Sequence, residues 1–179
     1  FVMANGSMST TQKAEAEIRR NIIEEGLVDC IVALPSQLFY NVAIPVCLWF
    51  INKDKGNRKD QILFIDARKM GTMVTRKHRE LSDDEIKLVF EVYHLWKKQS
   101  SKYQNIKGFC NSVNIEEVKN HEYILTPGRY VGLEEIEDDG ESFENKMITI
   151  TSELAELFAK SQELDEKIRK TLGSIGYEF

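Results

Sequence analysis

"LVDCIVALPSQLFYNVAIPVCLWFIN", residues 27–52, holds two near-continuous apolar runs, 27–34 and 43–52, joined by a loop that carries Phe39, Tyr40 and Asn41. Both runs are rich in β-branched residues, and neither alternates apolar with polar. A continuous apolar pattern belongs to strands covered on both faces, which puts the chain in the α/β class. The brevity of the connection makes the pair antiparallel. A plain hairpin closes on Asn-Gly or Asp-Gly; this loop is longer and keeps two aromatic rings. Ligands of open α/β sheets lie beyond the carboxyl ends of the strands, and residues 35–42 leave the carboxyl end of the first run. Phe39 and Tyr40 therefore stand where a flat ring can be stacked, as an enzyme that modifies a base in DNA requires. The competing role for a loop phenylalanine is an anchor packed back onto the core.

Outward from this pair the pattern stays α/β. Ser9 and Gln12 have capping-box spacing, and Ala14, Ile18, Ile22 and Ile23 fit one helical face that Gly26 ends. "NKDKGNRKDQ" (52–61) reads as a polar hairpin connection to a third strand, "ILFIDA" (62–67). Ser82 and Glu85 form a second capping box, followed by Ile86, Val89, Phe90, Tyr93 and Trp96 at helical spacing. Residues 103–132 are more weakly patterned, with a strand near Phe109, a short helix started by Asn114, an extended "YIL" and the turn "TPGR". An acidic connector, "LEEIEDDGE" (133–141), precedes Met147, Ile150, Leu154, Leu157, Ser161, Leu164 and Ile168, which alternate by three and four. That narrow stripe suits a partner helix as well as packing within its own domain. The expected division is 1–100, 101–141 as an irregular segment with the acidic connector, and a helical tail, 142–179.

The chain has 179 residues, 42% of them hydrophobic and 30% charged, as expected of one globular domain with an appendage. No apolar run has bilayer-spanning length, and the first residues lack the basic start and apolar core of a signal peptide. Cys30, Cys47 and Cys110 are widely spaced, two of them inside apolar runs, so free buried thiols in the reducing cytoplasm are expected. A net charge of −5 excludes a whole-surface nucleic-acid binder. Charge is uneven, however: "RKMGTMVTRKHRE" (68–80) carries Arg68, Lys69, Arg76, Lys77 and Arg79, a set able to meet phosphate or an acidic partner. No phosphate-binding Gly-rich loop, serine elbow or metal spacing occurs, and His78, His94 and His121 have no partners at ligand distance in sequence. No metal site is expected. Asp29 and Asp66 sit at strand boundaries, where carboxylates are more often structural than catalytic. The opening "FVMAN" reads as the end of a strand, so the chain is expected to be a fragment, and the raw edge of its half-sheet is a place for self-association.

Taken in order, "IRRNIIEEGLVDCIVALPSQLFYNVAIPVCLWFINK", "ILFIDARKMGTMV", "RELSDDEI" and "GFCNSVNIEEVKNHEYILTPGRYVG" resemble the modification (methyltransferase) subunit of type I restriction–modification systems. The resemblance runs from Phe1 to about Gly132; the tail is similar in helical character more than in residues. It implies the carboxy-terminal part of an S-adenosylmethionine-dependent methyltransferase sheet, ending in an antiparallel strand pair, plus a helical carboxy-terminal extension. It further implies methyl transfer from S-adenosylmethionine to the exocyclic amine of adenine in DNA, with a specificity subunit and a restriction subunit as partners. Carried onto this chain, Phe39 matches the aromatic that stacks on the target adenine, Tyr40 is second choice, and Asn41 supports the loop. Two family motifs are absent here, the Gly-rich turn for the methyl donor and Asn-Pro-Pro-aromatic. The only prolines are Pro35, Pro45 and Pro127. No catalytic residue is therefore expected in this chain, which alone would be inactive. A non-catalytic adaptor that reuses the half-sheet to bind a partner is the alternative from another class.

Overall fold

The computed structural model describes residues 1–40, 42–133, 143–174 and 176, in two compact units, Phe1–Glu135 and Ile136–Phe179. In the first unit β1 (Val2–Ala4) precedes α1 (Lys13–Glu24), β2 (Val28–Ala33), β3 (Val46–Ile51) and β4 (Gln61–Asp66). A hairpin of β5 (Thr72–Thr75) and β6 (His78–Glu80) then leads into α2 (Asp83–Lys97), and β7 (Cys110–Asn114) runs directly into α3 (Ile115–Asn120). The second unit consists, among its described residues, of α4 (Phe143–Ser174) and Gly176.

The main sheet has the order β1-β3-β2-β4-β7. β3 lies antiparallel between β1 and β2, as the 27–52 pattern requires, and β2 runs parallel to β4. All six residues of β2 are buried, as are Ile62–Ile65 of β4, so the two continuous apolar runs form the covered centre of the sheet. On one face Val28, Ile31, Ile62 and Phe64 pack with Ile23 of α1, Val118 of α3, Leu125 and Tyr130. On the other, Cys30, Val32, Leu63 and Ile65 pack under Val92 and Trp96 of α2. Cys30, Cys47 and Cys110 are free and buried, and burial pushes the Cys30 thiol well up from its ordinary range.

The polar segment 52–61 is not the hairpin connection expected from sequence. β4 lies on the far side of β2 from β3, so the segment crosses the amino-terminal end of β2. Two of its cations turn inward there. Lys55 Nζ donates to the carbonyls of Val28 and Gln61, both at 2.7 Å, and Arg58 Nη1 donates to Asp29 Oδ1 at 2.6 Å. A run of Lys, Asp, Asn and Gly has the same composition whether it turns back or crosses over, and which side β4 takes is set by these buried contacts.

Asp29 is fully buried. A register shift between Val28 and Cys30 marks a bulge; a bulge turns an extra residue out of the ladder, and here the Asp29 carboxylate and the Cys30 side chain both lie on the α2 face. Besides Arg58, its carboxylate accepts the Tyr93 hydroxyl at 3.0 Å. Arg58 in turn lies 4.4 Å over the Trp96 ring, and Trp96 Nε1 donates to Ser112 Oγ of β7 at 2.8 Å. The carboxylate at this strand boundary is thus structural.

Helix ends agree with the sequence in one case and not in the other. α2 begins with the full capping box: Ser82 Oγ accepts from the Glu85 amide at 3.2 Å, and Glu85 Oε2 accepts from the Ser82 amide at 2.8 Å. The Ser9–Gln12 box does not form, because Ser9 closes a 3-10 turn over Asn5–Met8 and α1 starts later, at Lys13. Nor do Ala14, Ile18, Ile22 and Ile23 share one buried face. Ile23 is in the core, Ile18 is exposed, and Arg19 is buried with its guanidinium on the carbonyls of Tyr123 and Thr10.

Residues 101–133 supply β7, α3 and the Leu125–Val131 cover of the core, so the strand expected near Phe109 and the short helix expected from Asn114 both form, more firmly packed than an irregular segment would be. β7 is an edge strand, so "CNSVN" needs only Cys110 and Val113 buried, and its apolar signal is faint for that reason. The acidic connector 134–141 lies outside the described residues. α4 falls within the helical tail expected over 142–179, of which residues 142, 175 and 177–179 are outside the described ones; its stripe from Met147 to Ile168 is exposed. The pairs Glu163–Lys167 and Asp165–Arg169 support it at i,i+4 spacing. Among the described residues no helix is long and apolar enough to cross a membrane.

Replacing Arg58 by alanine leaves Asp29 buried without its cation, which costs about 3–5 kcal/mol. Amide exchange at β2 in the complete subunit should report a loss of opening free energy of that order, and the apolar pair Asp29→Leu with Arg58→Met should recover most of it.

Candidate functional site

The parallel pair β2 and β4 points its carboxyl ends at one edge of the sheet, opposite the end closed by Lys55 and Arg58. Three segments gather there. The 34–45 loop joins β2 to β3, residues 67–71 lead from β4 into the β5–β6 hairpin, and the Pro127–Arg129 turn approaches from the far side.

Gln37 adopts a positive φ of 65° and reverses the loop. A bridge between Phe39 and Val42, with the Val42 amide donating to the Phe39 carbonyl at 3.2 Å, makes the tip a tight turn. The tip leaves Phe39 44% and Tyr40 82% exposed. Neither ring is a core anchor. Tyr40 is not free on both faces, because its ring stacks on that of His78 at 4.1 Å between centroids and 13° between planes. Asn41, expected to support the loop, lies outside the described residues.

The basic segment is not a plain loop but the β5–β6 hairpin, with Arg76 and Lys77 at its turn. The five cations expected to act together divide here. Arg68 closes on Asp66 in a bidentate pair, Nε to Oδ1 at 2.8 Å and Nη2 to Oδ2 at 2.5 Å, and its own pKa is raised chiefly by that hydrogen bonding. This also accounts for Asp66, the second strand-boundary carboxylate. Gly128 lies against the same guanidinium, where a Cβ would come 2.5 Å from Nη2. A side chain at that position would have to push the Arg68 guanidinium aside. Arg79 donates through Nη1 to the carbonyls of Met70 and Gly71, at 3.0 and 2.9 Å. Lys69, Arg76 and Lys77 are exposed.

The hairpin is fastened on both sides. Gly71, at φ 79°, sends its amide to Glu85 Oε1 at 2.7 Å, and that bond is the first cause holding the Glu85 carboxyl below its usual range. On the other side the Arg79 amide donates to the Gln37 carbonyl at 2.8 Å, and Gln37 Nε2 reaches the Arg76 carbonyl at 3.4 Å. Sequence reasoning missed both Gln37 and His78. Gln37 offers no signal beyond its place in the loop, and His78 was weighed only as a metal ligand, although a histidine in an aromatic-bearing region is equally a stacking partner.

Arranged this way, the edge presents two aromatic rings and a cationic tip to solvent. The family model for N-6 DNA methylase matches residues 1–139. The chain belongs to the N-6 DNA methylase family. It is 49% identical over 178 residues to the type I restriction enzyme HindI methylase subunit of Haemophilus influenzae, covering 99% of this chain and 40% of that protein. It is 40% identical to the MjaIX methylase subunit of Methanocaldococcus jannaschii, covering 99% of this chain and 32% of the other. The chain thus spans well under half the length of these curated relatives. The HindI alignment reaches past the family model into the tail. Among solved structures, the type I restriction-modification methyltransferase subunit from Streptococcus thermophilus superposes with a TM-score of 0.62 at 28% identity, over 73% of this chain and 25% of that one. The EcoKI M protein shares the fold, with a TM-score of 0.57 at 16% identity, over 98% of this chain and 43% of its own. The sheet seen here, with β3 antiparallel to β1 and β2, contains the antiparallel pair that the 27–52 pattern implies and fits the methyltransferase sheet that the resemblance implies.

Proposed function

We propose that this chain is part of the modification subunit of a type I restriction–modification system, and that the complete subunit methylates the exocyclic amine of adenine in DNA. The observation that carries the reading is an exposed Phe39 on the turn beyond the carboxyl end of β2, in an N-6 DNA methylase chain. An adenine inside a duplex cannot present its amine to a methyl donor, so it must leave the stack, at a cost of a few kcal/mol. Stacking on an aromatic ring returns about 1–3 kcal/mol per base. Phe39 supplies that ring. Tyr40, with one ring face already taken by His78, is the second choice.

The methyl donor is S-adenosylmethionine, and the residues of this chain do not form its cradle. Among the described residues no strand passes through a Gly-rich turn into a helix; β7, the strand that runs straight into one, does so through Asn114 as N-cap. Nor does the chain carry Asn-Pro-Pro-aromatic to hold the amine. Donor and amine binding thus fall to parts of the longer subunit, and this chain contributes one wall of the base pocket.

Two further surfaces follow from the same reading. Lys69, Arg76 and Lys77 meet DNA phosphate, whereas Arg68 and Arg79 shape the ground they stand on. The exposed stripe of α4 docks on helices of the specificity subunit, in an assembly that also takes a restriction subunit.

Three outcomes test these assignments in the complete subunit. Phe39→Ala should cut methylation at least tenfold, with the fold intact, and should abolish the fluorescence rise of 2-aminopurine placed at the target adenine; wild-type flipping and methylation would remove the base-stacking role. Arg76→Ala with Lys77→Ala should flatten the salt dependence of DNA binding by roughly 2 in log–log slope, about 0.9 per phosphate lost; an unchanged slope would remove the phosphate contact. Deleting Phe143–Ser174 should abolish co-purification with the specificity subunit, and assembly that survives the deletion would remove that docking role.

A further inference from the structure

The stacked pair Tyr40–His78 is the one ring contact between the β2–β3 loop and the β5–β6 hairpin among the described residues. We propose that His78 is a positioning residue: its ring holds Tyr40, and through it the loop tip, so that Phe39 is presented to the base. The inference rests on the base-stacking reading of Phe39 and deepens it by adding a residue from a different element.

Three features carry it. First, His78 is held from below rather than by the loop. With Tyr40 in place it is 9% exposed, and its Nε2 lies 3.3 Å from Glu80 Oε1 of the same hairpin, a contact on the ring edge that is independent of the loop. Second, the hairpin itself is anchored to a rigid element. The Gly71 amide is held by Glu85 of the α2 capping box, the Gly71 carbonyl by Arg79, and the Arg79 amide donates to the Gln37 carbonyl. That series of bonds runs from the α2 amino terminus to the loop and fixes Gln37. Beyond Gln37, Leu38 packs partly buried against the core under α2, and past it the tip has its own Phe39–Val42 bridge, so among the described residues the stack on His78 is the next restraint outward. Third, Tyr40 is 82% exposed, and among the described residues the stack on His78 is its ring contact. A tyrosine with so much surface in water gains little from burial, and a parallel contact at 4.1 Å is the favourable geometry left to it.

Phe39 is 44% exposed and makes no ring contact with Tyr40 or His78 among the described residues, so with Tyr40 clamped onto the hairpin it keeps ring surface for the base. An untethered tip would sample many orientations, and each productive encounter would have to wait for the right one.

The test uses the complete subunit and four variants: His78→Ala, Tyr40→Ala, the two combined, and His78→Phe, which keeps a flat ring. Hydrogen exchange at the Arg79 and Val42 amides, which bond to Gln37 and Phe39, reads the loop directly. A lost aromatic stack should raise exchange there by between about twofold and about tenfold. The double variant should be no worse than either single one, and His78→Phe should restore the wild-type rate. In methylation the single alanine variants should lower kcat by a similar factor while KM for the methyl donor stays put. Tyr40 lies at the exposed tip, so its alanine variant folds even where removal of the half-hidden His78 disturbs the hairpin. Unchanged exchange in Tyr40→Ala overturns the clamp, as does a double variant whose effect is the sum of the singles, or a His78→Phe no better than His78→Ala. Raised exchange with unchanged kcat overturns the positioning role. Full activity in Phe39→Ala sinks the base-stacking reading instead, and the exchange data then decide the clamp by themselves.

Discussion

A carboxylate with no access to water governs this fold. Asp29 sits in the central strand, and removing such an ion from water costs several kcal/mol unless a cation and hydrogen bonds replace the lost hydration. Arg58 and the Tyr93 hydroxyl replace it. To bring Arg58 there, the connection from β3 must cross the end of β2 instead of turning back, which places β4 on the opposite flank and parallel to β2. To bring Tyr93 there, α2 must lie across the same face. The arginine then lies on Trp96, which reaches Ser112, so the edge strand β7 is joined to the same network. One buried carboxylate thus ties together β2, the 52–61 crossover, α2 and, through Trp96, β7.

The two ends of the sheet divide the tasks. At the amino-terminal end of β2, Lys55 and Arg58 are spent on carbonyls and on Asp29, and burial pulls the Lys55 pKa down to about 8. That end is closed. At the carboxyl end the charged residues bond mainly to one another and to loop carbonyls at the surface, as Arg68 does with Asp66 and Arg79 with Met70 and Gly71. These contacts stiffen the loops without filling the space above the strands. Both kinds of arginine look alike in the sequence. What separates them is whether the guanidinium faces a covered strand or an open edge.

The parts legible in the sequence are those controlled by short-range rules. Two unbroken apolar runs around 35–42 gave covered strands and an antiparallel return. Ser82 and Glu85 gave the start of α2, where both halves of the capping box are made, and the three-four alternation from Met147 gave α4. Ser9 and Gln12 show the limit of the same rule, since a 3-10 turn claimed Ser9 first. Arg19 shows another, because a charged residue within a helix pattern is read as solvated, whereas here the carbonyls of Thr10 and Tyr123 bury it.

By itself the sequence determined the α/β class, the antiparallel β2–β3 pair, the position of Phe39 and Tyr40 beyond a strand end, and the resemblance that names the family. Those depend on residue type and spacing along the chain. Only the tertiary structure decided that 52–61 crosses over, that Arg68 and Arg79 are bound within the loops while Arg76 and Lys77 stand at the turn, and that Tyr40 rests on His78. The crossover and the Tyr40–His78 stack join residues far apart in sequence through a buried charge and a ring face, whereas Arg68 and Arg79 choose among near neighbours according to how the loops fold. Composition and periodicity carry no record of such pairings, because they arise only when folding brings distant side chains within a few ångströms of each other.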